Sequence, residues 1–543
     1  MDNPMLAERL DAFAALLELN GSGFYTTRAY RRAAELIRST PADVASIVRA
    51  GRVRELKGIG PGIEARLREL VETGELSELR ELEAEVMPEL VGVGRLIGLS
   101  PTRMRELGTA LDVRTLAALR EAVAAGRLEG VRGIGPKTAE KIRAGLTGLE
   151  DVRPRRGVLL SRARALGGEI AAALEGEPAG DPRRWCDLSS RFAVVVRDPA
   201  ALDLFVSLPQ IVSVLERDED RAVGVTVEGI PVEVIAATPE SFGTVLVHAT
   251  GSPEYVASLG PLPERATELE VYSSIGCPFR PPELREVDAA DPPPDLLELD
   301  HIRGDLHMHS TASDGKATVL QLALAARELG YEYIAICDHT KAVRVVEGLD
   351  ADGLRRQAEE IGAVNEELAP FRILRGSECD ILPDGSLDLP DDVLTELEWV
   401  QISLHAGQRA SADELTARVV EAMRHAAAAT ATSCLSHPLG RILNHRPENA
   451  LDLDRVFEVA LETGVALEVN GLPDRLDLSG RHVRRALAAG VKIVCSTDAH
   501  STRGLGNMAL SVATARRGGG RHGDVLNTLP LAELAREGPR GLM

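Results

Sequence analysis

Gly304-Asp305-Leu306-His307-Met308-His309-Ser310-Thr311-Ala312-Ser313-Asp314-Gly315 holds two histidines two residues apart and a carboxylate five residues further on. On a strand, side chains at i and i+2 point to one face. His307 and His309 would therefore enter one site. A lone His-x-His is weak evidence. Its weight comes from the surrounding half of the chain, where residues 301–543 carry eleven of the twelve histidines, His248 being the exception.

Apolar runs recur through this half, and most end in a polar group. Tyr333–Cys337 leads into Asp338-His339, Phe371–Arg375 into Ser377-Glu378, and Trp399–Ser403 into His405. Thr432–Leu435 leads into His437, Ala466–Val469 into Asn470, and Val491–Ser496 into Asp498-Ala499-His500. Helical stretches lie between them: Val319–Leu329, Asp352–Glu367, Asp413–Ala427, Asp454–Thr463 and Arg481–Ala489. Repeated strand–helix units imply parallel strands, and polar groups at successive carboxyl ends imply a barrel with its site on that face. Nine side chains qualify as metal ligands: His307, His309, Asp314, His339, Glu378, His405, His437, Asp498 and His500. Two or three divalent ions could share them. Mixed imidazole and carboxylate donors suit Zn, Mn or Fe rather than Mg. Each histidine alone has a structural explanation; six at strand ends do not. His301, His425, His445, His482 and His522 fall outside the pattern and read as structural or surface residues.

The 543 residues suggest three or four domains at about 150 residues each. Six scattered cysteines form no Cys-x-x-Cys pair, which fits a reducing cytoplasm. No signal-like start and no bilayer-length apolar run is expected, and hence no membrane association. The net charge of −21 argues against nucleic acid, but its distribution matters more. Residues 1–150 hold 22 basic and 22 acidic side chains, whereas residues 201–300 hold 5 and 19. A grip on DNA would be local and N-terminal.

Residues 1–150 read as short amphipathic helices. Leu56-Lys57-Gly58-Ile59-Gly60-Pro61-Gly62 and Val131-Arg132-Gly133-Ile134-Gly135-Pro136-Lys137 resemble each other, and each precedes a helical run. Proline sits near the first helical turn, where no amide donor is needed. Free amides there bind phosphate oxygens without reading bases. The alternative is a helical bundle with Gly-Pro turns. The pair resembles the helix-hairpin-helix motif of DNA repair proteins, which implies DNA contacts at Gly58, Gly60, Gly62, Gly133, Gly135 and Lys137. Gly98-Leu99-Ser100-Pro101-Thr102-Arg103 reads as a third, degraded copy.

Residues 151–286 read as mixed α/β, with a strand at Phe192–Val196 and a hairpin from Ala222–Val227 to Pro231–Ala236. Ala179-Gly180-Asp181-Pro182-Arg183-Arg184, Thr238–Gly243, Thr250-Gly251-Ser252 and Pro281–Glu286 extend the likeness. Together with the N-terminal motifs, they resemble a bacterial family-X DNA polymerase from residue 1 to about residue 515. That family's catalytic pattern is absent. Asp181 stands where the family has serine, Arg191 and Ala193 stand where it has its Asp-x-Asp pair, and Glu233 stands at the third aspartate. Two-metal phosphoryl transfer needs those carboxylates, so this palm reads as degenerate. The lysine of the family's deoxyribose-phosphate lyase is matched by Arg66, whose guanidinium cannot act as that nucleophile.

Residues 287–303 read as an acidic, proline-rich linker. Residues 304–515 resemble the PHP domain, the polymerase-and-histidinol-phosphatase module. The resemblance implies a distorted (β/α)7 barrel and a three-metal site on the nine residues above, with Glu378 bridging. It also implies phosphoester hydrolysis, with His307, His309, Glu378, Asp498 and His500 closest to the chemistry. Lys341 and Arg344 could receive a phosphate or be surface charges. Residues 516–543 read as a partly disordered tail.

The expected fold is therefore multidomain: an α-helical helix-hairpin-helix region, a nucleotidyltransferase-like palm and a PHP barrel. The expected function is a metal-dependent DNA phosphoesterase of repair, a 3′→5′ exonuclease acting on gapped or damaged ends, monomeric and cytoplasmic. The alternatives are a small-molecule phosphatase of the histidinol-phosphate type, an active DNA polymerase and a non-catalytic DNA-binding scaffold.

Overall fold

The computed structural model describes residues 3–537, apart from 20–23, 41–42, 57, 80–81, 83–86, 148–156, 227, 290, 344–346, 409 and 430–431. The backbone divides into two compact units. One comprises residues 1–157, 167–178 and 190–245; the other comprises 158–166, 179–189 and 246–543.

In the first unit, helices Asn3–Leu19, Phe24–Ser39, Val44–Arg49 and Pro61–Thr73 enclose a core of Phe13, Tyr30, Ile37, Leu67 and Leu70. A second helical cluster, Pro88–Leu96, Pro101–Leu111, Leu116–Ala124 and Pro136–Leu146, shares a core with Leu215, Val223 and Val225 of the following sheet. Gly92 permits that packing, since a Cβ there would lie 2.7 Å from the Thr226 carbonyl oxygen. Four of the five sheet strands are β1 (Phe192–Val196), β2 (Ile211–Arg217), β3 (Arg221–Thr226) and β4 (Pro231–Ala236). They lie in the order β1-β4-β3-β2, with β1 parallel to β4 and the rest antiparallel.

In the second unit, seven parallel strands lie side by side in chain order: β5 (Gly304–Met308), β6 (Tyr333–Ile336), β7 (Arg372–Asp380), β8 (Trp399–Ser403), β9 (Ser433–Leu435), β10 (Ala466–Asn470) and β11 (Ile493–Ser496). A parallel bridge between Met308 and Ala499 brings the first strand against the last, so the barrel is nearly closed. All seven strands are almost entirely buried, as parallel strands covered on both faces must be. Each intervening helix carries an apolar stripe onto them; Ala351–Leu368, for example, buries Leu354, Ile361, Val364 and Leu368.

The segment read as a partly disordered tail is ordered as far as Glu537. Leu526 and Leu534 join the inward-facing Leu306, Tyr333, Trp399 and Val494 in one core, and Asn527 bonds both the amide and the carbonyl of Cys495. The Arg-Gly composition of residues 516–521 concealed an apolar plug ten residues further on.

Candidate metal centre

His307 lies on β5 and His309 one residue beyond it, and both are fully buried. Their Nε2 atoms are 3.3 Å apart. Glu378 is on β7, one strand from His339 and one from His405, because β7 pairs with both β6 and β8. Its carboxylate is 2.9 Å from His339 Nδ1, 2.9 Å from His437 Nε2, 3.4 Å from His405 Nε2 and 3.5 Å from His309 Nε2. Asp498 lies 3.1 Å from His309 Nε2 and 3.8 Å from His307 Nε2. Asp314 closes the other side, 3.2 Å from His500 Nε2 and 3.6 Å from His339 Nε2. All nine residues singled out in the sequence thus converge.

Among the described residues, three overlapping groups have ligand atoms close enough to share an ion: His309 with Asp314, His339 and His500; His307 with His309 and Glu378; and His339 with Glu378 and His405. Glu378 belongs to two of them and could contribute an oxygen to each. The donor set fits cations on independent grounds. Two imidazole lone pairs directed at one another repel unless a proton or metal lies between them. His309 Nδ1 is also buried without a hydrogen-bond partner.

Burial opposes charge at every one of these groups; neighbours override it at most of them, but not at His309 or His437. Burial disfavours the Glu378 carboxylate, yet His405, His339 and His307 hold it well below the usual range. Burial likewise opposes charging of His339, but Glu378 and Asp314 lift it to about 10. His437 goes the other way: burial lowers it, and the nearby Arg475 lowers it further.

The outer nitrogens are anchored so that the inner ones face the site. His307 Nδ1 meets Glu468 at 2.6 Å, His405 Nδ1 meets Asp380 at 3.1 Å, and His500 Nδ1 meets the Asp498 carbonyl at 2.8 Å. Glu468 also accepts from Ser436 Oγ at 3.0 Å, the His437 amide at 2.5 Å and Asn470 Nδ2 at 3.2 Å. Sequence reasoning passed over Glu468 and Asp380. The signal was present: a carboxylate inside the apolar run Ala466-Leu467-Glu468-Val469 has no reason to be buried without a charged partner.

The remaining histidines lie apart from this site. His425 pairs with Asp391, His482 with Ser479, and His301 stacks edge-on against His522. Lys341 pairs with Asp350 at the surface, and Arg344 lies outside the described residues. Two cations the sequence reading did not single out lie on the loops that follow β9 and β10, and Arg475 is near enough to act on His437. Arg446 donates to the Gly440 carbonyl at 2.7 Å, and Arg475 sits on the facing loop, whose Asp474 carbonyl accepts from the Leu443 amide at 2.7 Å. Neither guanidinium has an ion-pair partner among the described residues.

The two glycine loops share one backbone geometry. Gly60 (φ −86°, ψ 172°) and Gly135 (φ −81°, ψ 169°) cap their helices without a side-chain bond, each followed by proline. Gly58 and Gly133 hold φ of +113° and +82°, which glycine tolerates. Lys57 lies outside the described residues. In the third copy, Ser100 Oγ caps the Arg103 amide and so occupies a donor that a phosphate would use.

At the palm positions, Ala193 on β1 is paired in register with Glu233 on β4, and Glu233 is engaged by Arg221 at 2.6 Å. Asp181, in the second unit, pairs with Arg184 at 2.7 Å. Arg66 lies over the rings of Phe13 and Tyr30 and pairs with Glu78.

Residues 1–76 match the helix-hairpin-helix domain family, and residues 305–471 match the PHP domain family. A DNA polymerase/3′-5′ exonuclease PolX of Bacillus subtilis (strain 168) is 32% identical over 97% of this chain and 97% of its own length. A protein named "Probable phosphatase" of Acetivibrio thermocellus is 28% identical over 36% of this chain and 78% of its own. Another so named, from Thermoanaerobacter sp. (strain X514), is 27% identical over 41% and 89%. Full-length similarity, paired glycine loops and a barrel matching the PHP domain family agree: the chain belongs to the bacterial family-X DNA polymerase (PolX) family that carries a C-terminal PHP domain.

Proposed function

We propose that this protein is a metal-dependent phosphoesterase of DNA repair, a 3′→5′ exonuclease of gapped or damaged ends, whose polymerase centre is lost. The observation that carries this reading is a contrast. Nine ligand-type side chains converge at the barrel mouth, whereas the palm positions offer Glu233 engaged by Arg221, with Ala193 beside it.

Two or three divalent ions (Zn, Mn or Fe by donor type) would supply a water deprotonated near neutral pH and Lewis acidity at the phosphate. The protein's part is positional. His307, His309, Glu378, Asp498 and His500 form the centre of the ligand set, with Asp314, His339, His405 and His437 around them. Glu468 keeps the proton on His307 Nδ1, so Nε2 presents its lone pair inward. Arg475, near His437, and Arg446, on the loop that follows it, would supply positive charge for an anionic substrate. The Gly60 and Gly135 helix starts leave first-turn amides for backbone phosphates, giving a grip independent of sequence.

A histidinol-phosphate type of activity is favoured by the phosphatase relatives, but they cover only 36% and 41% of this chain, and a small ester needs no glycine loops. The test compares the full chain with His307→Ala/His309→Ala on 3′-labelled gapped DNA, with elemental analysis of both. Loss of digestion and of metal together supports the reading; undigested DNA with metal-loaded wild type overturns it. Turnover of a small phosphate ester unaffected by competing DNA would favour the second reading. Primer extension with dNTPs tests the palm, and incorporation would overturn its loss. We further propose a monomer in the cytoplasm; among the described residues no helix is long and apolar enough to cross a membrane.

A further inference from the structure

Arg441 lies four residues beyond His437 and is 7% exposed. Its guanidinium reaches the 475–476 loop and Asp187, and Glu448 lies 3.6 Å from its Nη1. Nε donates to the Arg475 carbonyl at 2.8 Å, and Nη2 donates to the Leu476 carbonyl and to Asp187 Oδ2, the latter at 2.7 Å. Asp187 belongs to segment 179–189, which lies in the same compact unit as the barrel. Its other oxygen accepts from Arg517 Nη1 at 2.8 Å. Arg517 ends the helix Met508–Arg517, which follows the loop of Asp498 and His500.

One carboxylate therefore joins the continuations of β9, β10 and β11. These strands deliver His437, the Glu468–Asn470 pair, and Asp498 with His500. Holding them is not trivial. His437 and Asp498 both sit at positive φ, 25° and 52°, where a residue with a Cβ persists only if its surroundings impose it. Along the same seam the Leu439 amide donates to Asp477 and the Leu443 amide to the Asp474 carbonyl, so the 437–443 and 474–477 loops run bonded together. Arg441 adds a charged link between this seam and segment 179–189, beside the apolar packing of Leu443 and Leu476 with Trp185 and Leu188. Without Asp187, the two largely buried guanidiniums would lose the counter-charge they share, leaving Arg441 only Glu448 at 3.6 Å and Arg517 only Glu286 at 3.8 Å, both beyond hydrogen-bond distance.

We propose that Asp187 and Arg441 are positioning residues of the metal centre, through which segment 179–189 holds the His437 and Asp498–His500 loops in ligating geometry. This rests on the metal-site reading above.

The test is a cobalt(II) titration of the metal-stripped, full-length chain, followed by visible absorption and elemental analysis. Wild type is compared with Asp187→Asn and Glu398→Gln. Glu398 is a control of the same kind, a buried carboxylate between Arg372 (2.7 Å) and Arg375 (3.1 Å), placed at the opposite ends of the strands. Asp187→Asn should weaken at least one equivalent of cobalt by about tenfold, while Glu398→Gln lowers the melting temperature and leaves the isotherm in place. An Asp187→Asn isotherm superimposed on wild type overturns the proposal, as does an equal shift in Glu398→Gln. If Asp187→Asn does not fold, Arg441→Lys decides by the same criterion, since lysine keeps the charge but cannot make three bonds at once. A wild-type chain that takes up no cobalt would overturn the metal reading itself, a result separable from an unshifted variant.

Discussion

Glu468 accepts a hydrogen bond from Nδ1 of His307 at 2.6 Å, across 161 positions of the chain. An ionised carboxylate can only accept, so the imidazole must donate from Nδ1 and turn Nε2 toward Glu378, 3.6 Å away. Glu468→Gln should therefore lower metal affinity by about ten- to a hundredfold, with phosphoesterase activity recovering at raised metal concentration. An isotherm identical to wild type would sink this assignment of Glu468.

Glu378 is the carboxylate common to two of the three ligand groups. Glu378→Ala should remove more than about a hundredfold of the activity and reduce bound metal, without changing affinity for DNA. Chelation of the wild type should reproduce the loss reversibly. The pair of measurements to compare is metal content by elemental analysis and DNA binding by anisotropy.

Arg446 and Arg475 provide charge that no described acid neutralises by an ion pair. Truncating either to alanine removes one charge-assisted bond to substrate phosphate, worth roughly tenfold in KM, while kcat changes little. Steady-state kinetics on labelled DNA separates the two constants; an unchanged KM in both variants would contradict the role.

Glu268 is gripped by Arg183 at 2.7 and 2.8 Å and also by Arg285. Burial opposes its charge, but these two arginines hold its pKa down to about 2. The folded state thus favours the ionised form. The resulting stability is fully present above the ordinary carboxylate range near 4.5 and is lost as pH falls toward 2. It amounts to at most about 3 kcal/mol. Glu268→Gln should flatten that limb of the stability–pH curve in urea titrations between pH 5 and 3; an unflattened limb would show that other groups dominate acid unfolding.

Lys137 opens the second glycine-loop helix and reads as a phosphate contact. Lys137→Ala should weaken DNA binding evenly across sequences and reduce the slope of log Kd against log salt by roughly one. Sequence-dependent loss would mean that it reads bases.

By itself, the sequence determined the barrel and the side chains that converge at its carboxyl ends. Parallel strands buried on both faces are written as continuous apolar runs, and the polar residue ending each run marks where the strand leaves the core. His307, His309, His339, His405, His437 and His500 could therefore be placed without coordinates. The repeated Gly-x-Gly-Pro loops were legible for a similar reason, since positive φ and a proline helix start restrict residue choice locally. What only the tertiary structure decided were contacts that local pattern does not encode. Glu468 stands in the middle of a strand, and only neighbouring strands show that His307, Ser436 and Asn470 surround it. The plug formed by Leu526 and Leu534 was hidden behind an Arg-Gly stretch, because its apolar residues are too sparse to form a periodic face. The link from Asp187 to Arg441 spans 254 positions. An ion pair of that separation depends on where two loops meet, and charge pairing leaves no periodic mark in the chain.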